Sequence, residues 1–270
     1  MTLLTKKQIE DFNRFGFLII PGLLAEADLS LFSLALRRII QFQLSRAIKS
    51  GTFVEVPAGR ECNLGMQLLE AIDHQYVAHI NDCMYGMPEV LRLLSSENIR
   101  GAVNQLLRND INSPLFCTNG SVVLAMPNDK NHTHGWHKDT FYTLPNSEYV
   151  QIWAPLVQDA TIALGTLKVC SESHKRAWKG QRLVQDVGYI HRYQVSAEEL
   201  ERFSPCDVEM KVGETLFFHS GLAHSAGENI SADARFSLVG IFHEIENETF
   251  SPKPEKTADE YFRELYGRTS

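Results

Sequence analysis

The feature that most narrows the fold of this chain is a change of texture near Leu115. From there the sequence breaks into short runs rich in Val, Thr, Phe and Ile, cut apart by clusters of Gly, Pro, Asn and Asp. Candidate strands are Gly120 to Met126, His137 to Tyr142, Val150 to Leu156, Thr166 to Cys170, Asp207 to Lys211, Thr215 to His219 and Arg235 to Phe242. Many short strands with turn chemistry between them imply a closed or sandwiched antiparallel architecture, of which the double-sheet jelly roll of the cupins is one.

Upstream of Leu115 the apolar spacing is helical. Thr5, Lys6, Lys7 and Gln8 fit a capping box, in which the Thr hydroxyl and the Gln amide satisfy free donors at a helix start, and Gly16 is placed to end that helix. Phe17 to Ile20 is a short β-type run closed by Pro21-Gly22. Glu26 to Lys49 carries Leu29, Phe32, Leu36, Ile39 and Ile40 at helical spacing, with Gly51 as its stop. Further helical patterns cover Met66 to Met84, Pro88 to Leu94 and Ile99 to Arg108. The expected fold is therefore mainly β with a helical N-terminal part: a double-stranded β-helix (jelly-roll, cupin-like) core covered by helices. We expect one domain over 1–270, with 1–114 as helical cover, 115–250 as jelly-roll core and 251–270 as a C-terminal helix. The irregular stretch Ala177 to Glu201 has the character of a lid or substrate loop.

Composition narrows the partners. A formal charge of -7 with no block of Lys and Arg argues against nucleic acid or an anionic membrane surface and favours a small molecule. The five cysteines are odd in number and scattered, which indicates neither a disulfide framework nor a zinc knuckle. Met1 to Arg14 lacks the apolar core of a secretory signal, and no apolar run approaches membrane-spanning length, so the expected setting is cytoplasmic.

Chemistry concentrates in the stretch from His132 to Tyr142. On an extended strand alternate residues share a side, so His137, Asp139 and Phe141 point one way and Lys138 and Thr140 the other. One imidazole and one carboxylate then converge, and a second histidine from elsewhere would complete a two-His-one-carboxylate facial triad with an open octahedral face. His219 and His224 are both available. If 227–233 connects a hairpin centred between Asn229 and Ile230, His224 and Arg235 lie opposite each other and emerge on one face. The planar fork of an arginine suits the far carboxylate of a dicarboxylic keto acid.

Taken together, Trp136-His137-x-Asp139, Gly165-x-Leu167-x-Val169 through Ser173-His174, and Gly213-Glu-x-Leu-Phe-Phe-His219 through His224 and Arg235 resemble the phytanoyl-CoA dioxygenase family. The resemblance runs from the Phe12 to Pro21 stretch onward and implies an iron(II)- and 2-oxoglutarate-dependent oxygenase that consumes dioxygen. It implies that His137, Asp139 and His224 bind iron, that Arg235 binds 2-oxoglutarate, and that Trp153 borders the co-substrate pocket. Two departures stand out. The family's Ser two residues after the distal His is Ala226 here, and adjacent Ser225 compensates only if the strand is bulged; the family's Pro-Gly before Ser-His is Ser171-Glu172. Asp139 argues against the related halogenases, which lack the carboxylate ligand.

Less specific readings compete at several positions. His132 and His134 offer a cupin-like pair with His137 but sit among loop residues; His174 and His219 read as structural or ligand-orienting groups. Packing alone would account for Trp153. Phe217 and Phe218 should alternate between layers without a chemical role, and Trp178, Tyr189, His191 and Tyr193 are candidates for the substrate mouth. The rival functions are a cupin-type metal isomerase or dioxygenase that does not use 2-oxoglutarate, and a jelly-roll binding protein without turnover.

Overall fold

In a computed structural model, residues 3–49, 56–129, 135–139, 149–176, 180–182, 193–248 and 250–252 are described. Helix α1, Lys6–Phe15, starts as its sequence dictates: the Thr5 hydroxyl accepts from the Gln8 amide while Gln8 Oε1 accepts from the Thr5 N–H at 2.8 Å. It ends at Gly16, whose φ of 84° is the left-handed conformation that glycine tolerates best. Strand β1, Phe17–Ile20, follows, and then helix α2, Glu26–Lys49. Along α2 the buried Leu29, Phe32, Leu36, Ile40 and Leu44 recur every three or four residues and form one stripe.

The single helical pattern expected over Met66 to Met84 is two helices, α3 at Met66–Ile72 and α4 at His74–Met84. Asp73 breaks them, because its extended backbone (φ -165°, ψ 121°) lets its carboxylate accept from the Gln75 N–H at 2.9 Å and cap α4. A π-helical turn at Glu61–Gly65, not anticipated from sequence, leads into α3. Helices α5 (Pro88–Leu94, with proline in its first turn) and α6 (Glu97–Leu107, capped by Ser96) complete the cover.

The remaining strands are β2 (Leu115–Ala125), β3 (Tyr149–Pro155), β4 (Leu167–Cys170), β5 (Gly180–Arg182), β6 (Tyr193–Val195), β7 (Pro205–Val208), β8 (Thr215–His219), β9 (His224–Ala226) and β10 (Arg235–Glu244). A one-turn helix, α7 at Ala197–Leu200, follows β6. Five strands form an antiparallel sheet in the order β1-β8-β3-β10-β2, and three form a second in the order β7-β4-β9. Alternation divides the larger sheet into two faces. Val150, Ile152, Ala154, Phe217, Phe236 and Leu238 pack with the helices, whereas Trp153, Leu216 and Phe218 pack with Leu167, Val169, Val208 and Met210 of or beside the smaller sheet. Helices on one face and a second sheet on the other give the helix-covered jelly roll expected from sequence.

Several expectations need correction. His137 to Tyr142 is not a ladder strand over its described part: His137 forms an isolated bridge with His224, and 140–142 lie outside the described residues. The proposed hairpin is also absent, because β9 pairs with β4 in the smaller sheet and β10 pairs with β2 and β3 in the larger. The connection between β9 and β10 is anchored across the molecule instead of turning back on itself. Gly227 N–H donates to Thr166 O at 2.9 Å, Ile230 N–H to Ala163 O at 2.9 Å, and buried Asn229 Nδ2 to Ala125 O at 3.0 Å and Asp233 O at 2.8 Å. Part of the supposedly irregular 177–201 stretch is the β5–β6 pair and α7. His132, His134, Trp178, Tyr189, His191, the Tyr193 side chain and 253–270 of the expected C-terminal helix lie outside the described residues. Among the described residues no helix is long and apolar enough to cross a membrane.

Candidate metal centre

Two backbone segments are joined at one point. His137 N–H donates to His224 O and His224 N–H to His137 O, each at 3.0 Å, so the main chain fixes the separation of the two imidazoles, whose centroids lie 4.3 Å apart. Each ring is oriented by its own Nδ1, which meets Gly135 O at 2.7 Å in His137 and Leu222 O at 3.0 Å in His224. A nitrogen that donates to a carbonyl carries the proton, which leaves both Nε2 lone pairs available. They face Asp139: His137 Nε2 lies 3.5 Å from Oδ1 and His224 Nε2 3.5 Å from Oδ2.

The ligand atoms of His137, Asp139 and His224 all fall within 4.8 Å of one another, and among the described residues no other group of His, Cys, Asp and Glu does so. Both histidines are buried. Burial pushes the His137 imidazole below its ordinary pKa, helped by neighbouring His224, so the neutral ring is favoured. Burial alone would raise the Asp139 carboxyl, but the two facing imidazoles, His224 foremost, outweigh it and hold the group well below the ordinary carboxylate range. Two imidazoles and one carboxylate on one side of a small space are a donor set suited to a divalent iron ion, with the opposite side left to other ligands.

Between the two bridge-side residues, Lys138 turns away. It is 4% exposed, and its ammonium donates to Arg176 O at 3.2 Å, while burial lowers it to about 7 against the opposing pull of Glu199. Phe218, given no role from sequence, has its ring 4.9 Å from that of His224 and forms an apolar wall.

Arg235 occupies the start of β10 and is 3% exposed. Its guanidinium lies over the Trp153 ring at 5.8 Å and donates to Leu164 O at 3.4 Å, and its Nε has no partner among the described residues. Burial lowers Arg235 to about 10, which leaves it charged at neutral pH. Among the described residues no carboxylate pairs with it, so this buried cation lacks the anion that buried charges normally require. Trp153 and Phe218 belong to the same inter-sheet cluster, which connects the arginine to the imidazole.

Ser225 is a correction. The β4–β9 register carries no bulge, so Ser225 shares the face of its partner Lys168, opposite to that of His224 and Ala226, and its hydroxyl points away from the convergent side chains. His174 and His219 also stay outside the triad. Their rings lie 5.0 Å apart; His174 Nε2 meets Asn13 O at 3.1 Å and His219 Nδ1 accepts from Gly221 N–H at 3.0 Å.

The sequence matches the profile of the family described as phytanoyl-CoA dioxygenase over residues 12–237. It is 30% identical over 104 residues to the 1-deoxypentalenic acid 11-beta-hydroxylase of Streptomyces arenae, covering 36% of this chain and 35% of that protein. The 1-deoxypentalenic acid 11-beta-hydroxylase of Streptomyces exfoliatus is 24% identical over 193 residues, 66% of this chain and 61% of that protein. The chain thus spans less than two thirds of either curated relative. Among solved structures, the epimerase SnoN from nogalamycin biosynthesis, in complex with Fe3+, alpha ketoglutarate and nogalamycin RO, superposes with a TM-score of 0.60 at 15% identity, covering 93% of each chain. At that identity the likeness concerns the fold.

Proposed function

This chain belongs to the phytanoyl-CoA dioxygenase family, and from that premise we propose that it is a 2-oxoglutarate-dependent non-haem iron oxygenase that hydroxylates an unactivated C–H bond of a small molecule. His137, Asp139 and His224 would hold iron(II), and Arg235 would hold the far carboxylate of 2-oxoglutarate. The observation that carries the proposal is the pairing, across one inter-sheet cluster, of a three-ligand open-faced site with a buried arginine that meets no carboxylate among the described residues. Hydroxylation is supported by the relatives described as hydroxylases, and the iron and keto acid by the structural neighbour that contains both.

Iron(II) in such a site supplies dioxygen activation, driven by oxidation of 2-oxoglutarate to succinate and carbon dioxide. The protein's part is positional. The His137–His224 bridge presets two Nε2 donors, and Asp139, kept ionised, contributes the negative charge. Arg235 would orient the keto acid by charge-assisted hydrogen bonds, with Trp153 forming one wall beside the guanidinium. Leu167, Val169, Leu216 and Phe218 keep water away from the reacting side. Small molecules fit as substrates because the relatives named above act on them. We place the protein in the cytoplasm, where scattered cysteines stay reduced.

The test is succinate formation on adding iron(II), ascorbate and 2-oxoglutarate with a panel of small hydrophobic acids, together with mass analysis of the product. A gain of one oxygen atom matched to succinate supports hydroxylation. Turnover without loss of keto acid would indicate a cupin-type isomerase, and failure to bind iron would indicate a non-catalytic binding protein.

A further inference from the structure

Three buried polar atoms without hydrogen-bond partners among the described residues lie on one face of the larger sheet: Arg235 Nε, Ser237 Oγ and Gln151 Nε2. Their residues are 3%, 0% and 3% exposed. Native interiors seldom leave such groups unpaired, and a cluster of them on one surface calls for a ligand. Strand alternation sets the face. On β3, Gln151 shares the side of Trp153, while Val150, Ile152 and Ala154 point into the helix-side core; on β10, Arg235, Ser237 and Val239 share a side, while Phe236 and Leu238 point toward the helices. All three orphaned atoms therefore belong to the inter-sheet side that carries Trp153 and Phe218.

The registers arrange them in a row. Gln151 is opposite Phe218, whose ring touches His224; Trp153 is opposite Val239; Pro155 is opposite Ser237. Arg235 is one step further along, and its guanidinium reaches back over Trp153. Gln151 thus stands at the triad end of the row, and Ser237 beside the arginine. The hydroxyl missing at Ala226 is not restored by Ser225, which faces the other way.

We propose that Ser237 is the second anchor for the far carboxylate of 2-oxoglutarate, donating its hydroxyl beside Arg235, and that Gln151 Nε2 donates to the carboxylate at the iron end. The assignment rests on the proposed 2-oxoglutarate-dependent function and adds two binding residues to it. Both act by positioning the keto acid and take no part in proton or electron transfer.

The test is calorimetric titration of 2-oxoglutarate into anaerobic, iron(II)-loaded protein, with melting temperatures measured on the metal-free form. Ser237→Ala should weaken 2-oxoglutarate about 10- to 100-fold, the range for losing one hydrogen bond to a charged group, with iron affinity unchanged. The same change should raise the metal-free melting temperature, because it removes an unpaired buried hydroxyl. Ser237→Thr should restore binding. With 2-oxobutyrate, which has no far carboxylate, Ser237→Ala and wild type should bind alike, while Gln151→Leu should weaken both keto acids. Ser121→Ala, on the same face but with its hydroxyl bonded to Val122 O, serves as the control. Wild-type affinity for 2-oxoglutarate in Ser237→Ala would overturn this assignment alone, whereas wild-type protein that binds iron but no keto acid would overturn the underlying function as well.

Discussion

Arg235 shows what single residues decide here. A guanidinium removed from water without an anion is costly unless a ligand supplies one, so the arginine should matter far more to the keto acid than to the metal. Arg235→Ala is expected to weaken 2-oxoglutarate by about 100-fold or more, in line with truncating one partner of a buried charge pair, with iron affinity changed by less than about threefold, within the near-additivity of separated sites. Equal losses in the two titrations would remove its assigned role. Asp139→Ala should largely abolish both iron retention and turnover, and a variant with full iron content would exclude the carboxylate as a ligand. Glu172 is a different case: it stands at φ 66° where the family pattern has glycine, held by Phe15 O at 2.9 Å and by exposed pairs with Arg14 and Lys175 at 3.9 and 3.6 Å. Left-handed backbone costs a non-glycine residue about 1–2 kcal/mol, and exposed pairs return little. Glu172→Gly should therefore raise the melting temperature by about 2 °C, and a fall would show that the ion pairs outweigh the strain. The triad residues were legible because His-x-Asp is a compact pattern. Ser237 and Gln151 were not, because an orphaned hydroxyl or amide exists only once the strands around it are packed.

At the scale of elements, local chemistry was readable and long-range pairing was not. The α1 capping box, the Gly16 stop, β1, the limits of α2 and of α5, and β8 follow from residues within a few positions of each boundary. The α3–α4 break was hidden because Asp73 interrupts a pattern whose apolar spacing continues on both sides. The β9–β10 hairpin failed for the opposite reason: Gly and Asn between two strands resemble a turn, yet Asn229 spends its side chain on Ala125 and Asp233, and β9 finds its partner in β4. Gly16 is where an element boundary and the tertiary fold meet. A Cβ there would lie 2.4 Å from His174 Nδ1 and 2.8 Å from Leu222 Cδ1, in addition to the left-handed backbone. Gly16→Ala should destabilise the protein by more than about 2 kcal/mol in urea unfolding; a loss below about half that would mean the α1–β1 corner shifts freely.

The molecule as a whole carries an acid sensitivity. Burial lowers His219 to about 4, with His174 and Lys138 adding to the effect, and burial lowers His243 to about 4. His243 is fully buried among Phe116, Tyr149 and Phe250, and its Nε2 meets the Thr118 hydroxyl at 3.1 Å. A depressed imidazole pKa means that the unfolded chain takes up protons first as pH falls from about 6.5, so stability is lost between there and about 4. Unfolding free energy should drop over that window by on the order of 3 kcal/mol for His243. His243→Gln should flatten the decline, and an unchanged slope would place the sensitivity elsewhere. The layered architecture itself was foreseeable from the helical first part and the short strands beyond Leu115. What sequence could not give was the crossing of the β9–β10 connection from one sheet to the other.

The reciprocal amide contacts between His137 and His224 have a consequence for cation exchange. Because peptide groups, rather than the cation, hold those two imidazoles together, stripping the ion should leave a vacant socket of unaltered shape instead of a loosened region. Chelation should then be reversible without refolding, and protease digestion patterns with and without the ion should coincide.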